Sequence, residues 1–297
     1  MDLDFGIAIA VQVLRISIPY VLAALGGTFS ERGGVANIAL EGILLVGAFS
    51  AVLGVHLTSN PWLGAGAGIV GGVGLSALFG WIVLRFKADP IVTGVAVNLL
   101  ALGGTRYLLK LIWGSSSNSD RIDALAPWAS ADGAWGGVLS LLTHPLFLLT
   151  VLLVAAAHVA LFSTRFGLRL RACGEHPEAA ASVGVRVVRL RVAGVLLSGA
   201  LAGLAGVWLA MESHQFTDGM SGGRGFIALA AMIFGRWRPL RAMAACLLFG
   251  AAETVQITLQ GTGSGIPTQF LQMLPYVLTL ATLVAAGVRN GSSRRTG

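Results

Sequence analysis

Lysine is almost missing from this chain. Two of 297 residues are lysine, Lys87 and Lys110, and neither stands in a Gly-x-x-x-x-Gly-Lys-[Ser/Thr] context. A phosphate-cradling loop is therefore absent, and with it an ATPase activity of the chain's own. The five histidines (His56, His144, His158, His176 and His214) are scattered, without His-Glu-x-x-His or metal-ligand spacing. The two cysteines, Cys173 in a basic loop and Cys246 in an apolar run, make neither a disulfide framework nor a metal site. Charge is scarce as well, at 11% of residues, where a soluble domain carries about 25%. This inventory does not describe an enzyme. A chain of this kind that pumps must draw on an ion gradient or on a partner that hydrolyses ATP.

What is present is apolar length. Hydrophobic residues make up 55% of the chain and mean hydropathy is +0.80. About 20 apolar residues cross a bilayer as a helix, and runs of that kind recur from end to end. The reading is all-α: a polytopic transmembrane helical bundle of about nine spans. The candidates are residues 5–27, 34–56, 62–84, 90–113, 144–164, 192–211, 222–236, 240–260 and 269–288. The seventh is short enough to be tilted, broken or re-entrant. The first run follows MDLDFGIAIA, which lacks the positive stretch and cleavage site of a secretory signal, so it reads as a retained span. Glycine is abundant, at 41 residues, and Gly68 to Gly72 and Gly199 to Gly203 have the small-xxx-small spacing of close helix crossings.

The net charge of +7 sits at the ends of apolar runs, where topology determinants belong, so it does not mark a nucleic-acid partner. With the loop after the fifth span in the cytoplasm, fifteen of the twenty basic residues fall inside. They are Arg32, Arg85, Lys87, Arg165, Arg169, Arg171, Arg186, Arg189, Arg191, Arg236, Arg238, Arg241, Arg289, Arg294 and Arg295. The expected topology is N-terminus outside and C-terminus inside. Outside lies the long segment 114–143, with Trp128 and Trp135 either at headgroup level or on a docking surface. Inside lies 165–191. There Pro177 suits a first helical turn, and Glu178 to Ala181 continue it until Gly184, predicting a short surface helix between two spans.

The candidate polar residues of the spans are few. Asn37 and Glu41 stand one turn apart on the second span, Asn98 on the fourth, and Glu253 and Gln256 three residues apart on the eighth. A carboxylate at the centre of a membrane helix costs on the order of 3 kcal/mol, so such residues serve either a polar pathway or helix–helix hydrogen bonding. Arg15, in the first span, is placed to pair with a glutamate. There is also an echo. Gly33-Gly34-x-x-x-Ile38-Ala39-Leu40 recurs as Gly222-Gly223-x-x-x-Ile227-Ala228-Leu229, starting from opposite sides of the membrane, as in an inverted repeat.

Four blocks carry a family resemblance: SERGGVANIALEGILLVGAF from Ser30, DPIVTGVAVNLLALGGTRYLL from Asp89, GLRLRACGEHPEAAASVGV from Gly167, and GRGFIALAAMIFGRWRPL from Gly223. Together they resemble the permease subunits of bacterial ATP-binding-cassette importers of the branched-chain amino acid, sugar and nucleoside family. They are most similar to the branch that takes up nucleosides with a basic-membrane-protein type of binding lipoprotein. The resemblance implies a single permease domain over residues 1–297, with a cytoplasmic coupling loop at 165–191 and a cytoplasmic tail at 289–297, in the bacterial inner membrane. It implies a cytoplasmic ATPase that binds the ATP and magnesium, a second permease subunit of different sequence, an external binding lipoprotein and a surrounding bilayer as partners, with no cofactor in this chain. It makes Gly174, Glu175, His176, Pro177, Glu178, Ala179, Ala180 and Gly184 the ATPase-coupling element. Asn37, Glu41, Asn98, Glu253 and Gln256, the polar residues of the spans, are the candidate substrate pathway. Simple sugars or branched-chain amino acids are the alternative substrates, and a secondary transporter without an ATPase is the alternative class.

Overall fold

The computed structural model describes residues 3–129 and 134–261. Among them the regular structure is helical, with one isolated antiparallel bridge between Asn118 and Thr217. The helices are α1 (Leu3–Arg32), α2 (Leu40–Thr58), α3 (Pro61–Phe86), α4 (Pro90–Trp113), α5 (Ala134–Leu142), α6 (Pro145–Ser163), α7 (Arg165–Glu175), α8 (Pro177–Ser182), α9 (Val187–Ser213), α10 (Arg224–Phe234) and α11 (Pro239–Gly261). Local chemistry sets many of the starts. Asn60 and Asp89 accept hydrogen bonds from the backbone N–H groups of the first turns of α3 and α4, and proline follows each of them at the first helical position. His144 with Pro145 does the same for α6.

Seven of these helices are long and apolar enough to cross a bilayer: α1, α2, α3, α4, α6, α9 and α11. The count of nine needs correction at the seventh candidate, 222–236. Only Arg224–Phe234 is helical there, 11 residues, or about 16 Å against a hydrocarbon core of about 30 Å. The preceding residues 214–223 run as turns through Gly219, Gly222 and Gly223, all at positive φ. The second candidate is likewise a break followed by a helix, because 33–39 is not helical before α2 starts at Leu40. The ninth candidate, 269–288, lies outside the described residues.

The helix ends sort into two groups. At one end Arg32 donates to the carbonyls of Arg236 and Trp237 and pairs with Glu175, while Arg191 donates to the carbonyls of Gly33 and Cys173. This end is basic and carries α7 and α8. At the other end, residues 117–122 bond to 214–218 through Ser119 N–H to Phe216, Ile122 N–H to His214 and Asp218 N–H to Ser117, and Arg106 pairs with Asp218. Trp128 and Trp135 are exposed there.

Packing follows an approximate two-fold pattern. α1 and α9 lie against each other; α9 packs on α2 and α3, and α1 on α10 and α11. The second glycine of each copy of the sequence echo shares one conformation, Gly34 at φ +84° and Gly223 at φ +83°, which costs glycine nothing; past it the copies differ, 35–39 being non-helical and 224–228 helical. The two small-residue motifs meet each other. A Cβ on Gly72 would stand 2.5 Å from the Gly199 carbonyl oxygen, and one on Gly203 would stand 2.8 Å from that of Gly68. α2 joins the same crossing through Gly47, whose added Cβ would lie 2.6 Å from the Gly203 oxygen. Backbones this close gain dispersion that lipid cannot supply. Gly47→Val should therefore cost about 3 kcal/mol, the upper part of the overpacking range, and lower the amount of folded protein in membranes. Gly74→Ala, at a position facing open space, should not. Equal abundance of the two variants would contradict this packing.

Candidate functional site

The break before α2 and the break before α10 face each other. Each begins a helix inside the bundle, so each presents unsatisfied N–H groups and the positive end of a helix dipole. Glu41, in the first turn of α2, fills the space between them. Its Oε1 accepts from Gly223 N–H at 2.8 Å and its Oε2 from Gly225 N–H at 2.7 Å. One carboxylate thus caps α10 while sitting at the N-terminus of α2, and both dipoles favour its charge. Gly225 is required by contact: a Cβ there would come within 2.5 Å of the Glu41 backbone.

Two amides secure the approach to α2. Asn37 is fully buried; its Oδ1 accepts from Ala39 N–H at 3.1 Å and its Nδ2 donates to Ser198 Oγ on α9 at 2.9 Å. Asn98 on α4 accepts from Gly42 N–H at 2.8 Å and donates to the Ile38 carbonyl at 3.0 Å. The structure thus brings Asn37, Glu41 and Asn98 together around one junction, each spending polar atoms on backbone that the broken helix leaves unpaired.

Glu253 belongs to an adjoining cluster. Arg224, the first residue of α10, pairs with Glu253 Oε1 at 3.0 Å and donates to the Met220 carbonyl at 3.0 Å; the Tyr20 hydroxyl of α1 donates to Glu253 Oε2. Gln256, one turn on, is half-buried on the same helix. Sequence reading missed Arg224, Tyr20 and Ser198. Arg224 had a signal, since a lone arginine opening a short apolar run calls for a carboxylate, and Glu253 stood unpaired on the eighth span. Tyr20 and Ser198 had none, because their roles depend on which helices become neighbours.

Arg15 finds Glu212 on α9, at 3.0 Å. This pair lies between two hollows. One, of about 600 Å³, is lined by Gln12, Pro19, Trp208 and Arg224 among others; the second, of about 300 Å³, by Leu125, Pro127, His144 and His214. His144 packs its ring edge-on against Trp208, and burial holds its pKa below the usual histidine value.

The predicted coupling element is a helical hairpin. The short helix expected after Pro177 is α8, and it is preceded by α7, which the sequence did not announce. Gly174 and Glu175 close α7, and His176 links to α8, where Pro177, Glu178, Ala179 and Ala180 lie. Ala180 is buried; His176, Glu178, Ala179, Val183 and Gly184 are exposed, and Gly184 turns the chain at φ +83°. The hairpin is rooted by backbone contact. A Cβ on Gly34 would meet Gly174 at 3.0 Å.

Replacing Glu41 by Gln should cost about 1.5–3 kcal/mol, because an amide nitrogen then faces a backbone N–H where a charged acceptor stood. The check is thermal unfolding of the purified protein in detergent. An unchanged midpoint would show that the carboxylate does not hold the junction.

Residues 9–284 match the family described as branched-chain amino acid transport system / permease component. The chain is 39% identical to the guanosine ABC transporter permease protein NupQ of Bacillus subtilis, over 92% of each chain. It is 40% identical to the nucleoside ABC transporter permease protein NupC of Lactococcus lactis, over 93% of this chain and 90% of that one. In fold it is similar to a chain of a transporter solved in an inward-facing conformation and assigned to the metal-chelate type of ABC transporter. That likeness has a TM-score of 0.54 and 15% identity, over 93% of this chain and 85% of the other. Its membrane-spanning helices, broken-helix junction and extensive likeness to such permeases make this chain a member of the branched-chain amino acid transport system permease family, a non-enzymatic transporter subunit.

Proposed function

We propose that the chain forms one half of the translocation pathway of an ATP-driven nucleoside importer in the bacterial cytoplasmic membrane. The observation that carries this reading is the identity of about 40% along nearly the full chain to two permeases named for guanosine and nucleoside transport. The remaining parts are a cytoplasmic ATPase docked on α7 and α8, a second permease of different sequence, and an external binding lipoprotein. Asn37, Glu41, Asn98, Glu253 and Gln256 are proposed to form the pathway. Support comes from two helix N-termini that meet within the bundle, since transporters place substrate groups at such helix ends. A nucleoside needs hydrogen-bond partners for its sugar edge and an apolar wall for its base.

In this mechanism ATP binding closes the ATPase, and the hairpin passes the motion inward. Gly174 abuts Gly34, and Gly34 leads through five non-helical residues to α2 and Glu41. Movement of the hairpin therefore has a short covalent route to the junction. Substrate shifts the equilibrium only as far as its affinities for the two states differ.

The substrate test is uptake of labelled guanosine by cells carrying the complete transporter, with ribose, glucose and leucine as competitors. Uptake blocked by other nucleosides alone is expected; blockage by a sugar or leucine would overturn the assignment. The coupling test uses Val183→Asp, which changes an exposed apolar side chain at the end of the hairpin. Uptake and substrate-stimulated ATP hydrolysis should fall together at least tenfold, on the order of the 1.4 kcal/mol that a lost contact at a docking surface represents. Normal coupling would make the hairpin a connector. For orientation, Ser117→Cys should label from outside and Ser182→Cys from inside, against a background in which Cys173 and Cys246 are buried. Labelling of both from one side would refute the topology.

A further inference from the structure

At the basic end of the bundle three guanidinium groups converge on one aromatic ring. Phe162, in the last turn of α6, has the guanidinium carbon of Arg171 at 4.9 Å from its centroid and those of Arg32 and Arg238 at 5.9 Å each. The three arginines come from α1, α7 and the turn before α11, so tertiary structure alone assembles them. Each gains a cation–π attraction, but together they repel. Among the described residues one carboxylate reaches the cluster as an ion pair: Glu175, at 3.7 Å from Arg32, with its side chain 67% exposed. Glu31, beside Arg32, directs its carboxylate to the Trp237 indole N–H instead. The cluster therefore carries an excess of about two positive charges. Its donors are not exhausted. Arg171 is bonded through Nε to the Gly167 carbonyl, and its terminal nitrogens remain for a further acceptor.

The position of the cluster identifies the kind of anion. α6 is a peripheral apolar helix that exposes Val151, Leu152 and Val159, and Phe162 stands at its foot. Beside Arg238, Phe234 and Leu240 are also exposed. An anion bound here thus has apolar helix surface directly above it, as a phosphodiester with acyl chains requires. Basic pockets at the ends of membrane helices take lipid headgroups on these physical grounds. We propose that Arg32, Arg171 and Arg238 bind the headgroup phosphate of an anionic phospholipid. Because Arg32 also holds Glu175, the lipid sits at the root of the α7–α8 hairpin.

The test is native mass spectrometry of the full chain in neutral detergent, titrated with phosphatidylglycerol or phosphatidylcholine. One tightly held phosphatidylglycerol is expected, and no comparable phosphatidylcholine. The double variant Arg171→Gln/Arg238→Gln should bind phosphatidylglycerol about thirty-fold more weakly, roughly five-fold per arginine near an anionic headgroup. Arg171→Lys/Arg238→Lys should restore most of the binding while leaving the thermal midpoint unchanged. Should the glutamine double variant fail to fold, Arg238→Gln alone, on an exposed turn, should still weaken binding several-fold. Equal phosphatidylglycerol binding by the folded variants would overturn the site. Displacement by millimolar inorganic phosphate would assign it to a free anion rather than a lipid. Loss of the bound lipid when the complete transporter assembles would assign it to a carboxylate of the ATPase.

Discussion

The Glu41 carboxylate stands between two helix ends that would otherwise repel. α2 and α10 both start inside the bundle, and their N-termini meet there. Two positive dipole ends and a set of free N–H groups are untenable in hydrocarbon without an acceptor. A single anion resolves both, bonding Gly223 and Gly225 while standing in the first turn of its own helix. The same geometry explains why Gly225 has no side chain and why Asn37 and Asn98 are aimed at backbone rather than at each other. It also explains why the seventh apolar run stops at half length: α10 begins where its cap is.

Close backbone packing is what allows the two breaks to face. α9 lies against α2 and α3 with glycine on both sides of the contact, at Gly47, Gly68, Gly72, Gly199 and Gly203. A lipid-facing bundle gains nothing from burying apolar side chains as such, since lipid is equally apolar. What it gains is density and satisfied polar groups. Ser76, Asn37 and Ser198 sit in or beside this crossing and bond across it. The outer helices are different. α4 and α6 leave much of their apolar surface uncovered, as surfaces meant for lipid or another subunit do.

The basic end links these parts. Arg32 reaches the last residue of α7 and the two carbonyls that follow α10, while Arg191 joins the last turn of α7 to Gly33. Arg236 and Trp237 both hold φ +54° there, an uncommon conformation for side-chain-bearing residues and one that surrounding contacts must maintain. The end of α10 and the break before α2 are therefore tied to the hairpin at the basic end, and the N-termini of α10 and α2 meet at Glu41.

Class and span positions were legible in composition and run length, because a bilayer demands about 20 apolar residues wherever a helix crosses it. Helix starts were legible at Asp89-Pro90 and Pro177, since caps and proline act within one turn. The repeated Gly-Gly-x-x-x-Ile-Ala-Leu falls at both breaks, but the first copy read as the start of a continuous span at 34–56, because nothing local distinguishes a broken apolar run from an unbroken one. Asn37, Glu41 and Asn98 stood out by their cost in an apolar run, but their bonding partners did not. Which amide meets which carbonyl depends on register between helices far apart in the chain. The same holds for Tyr20 with Glu253 and Arg224, and for three arginines on Phe162. Sequence alone determined that this protein crosses the membrane many times and where its polar residues fall, through rules that act over a few residues. Only the tertiary structure decided that two of those breaks oppose each other across one carboxylate, because that outcome rests on how closely glycine lets α2, α3 and α9 approach.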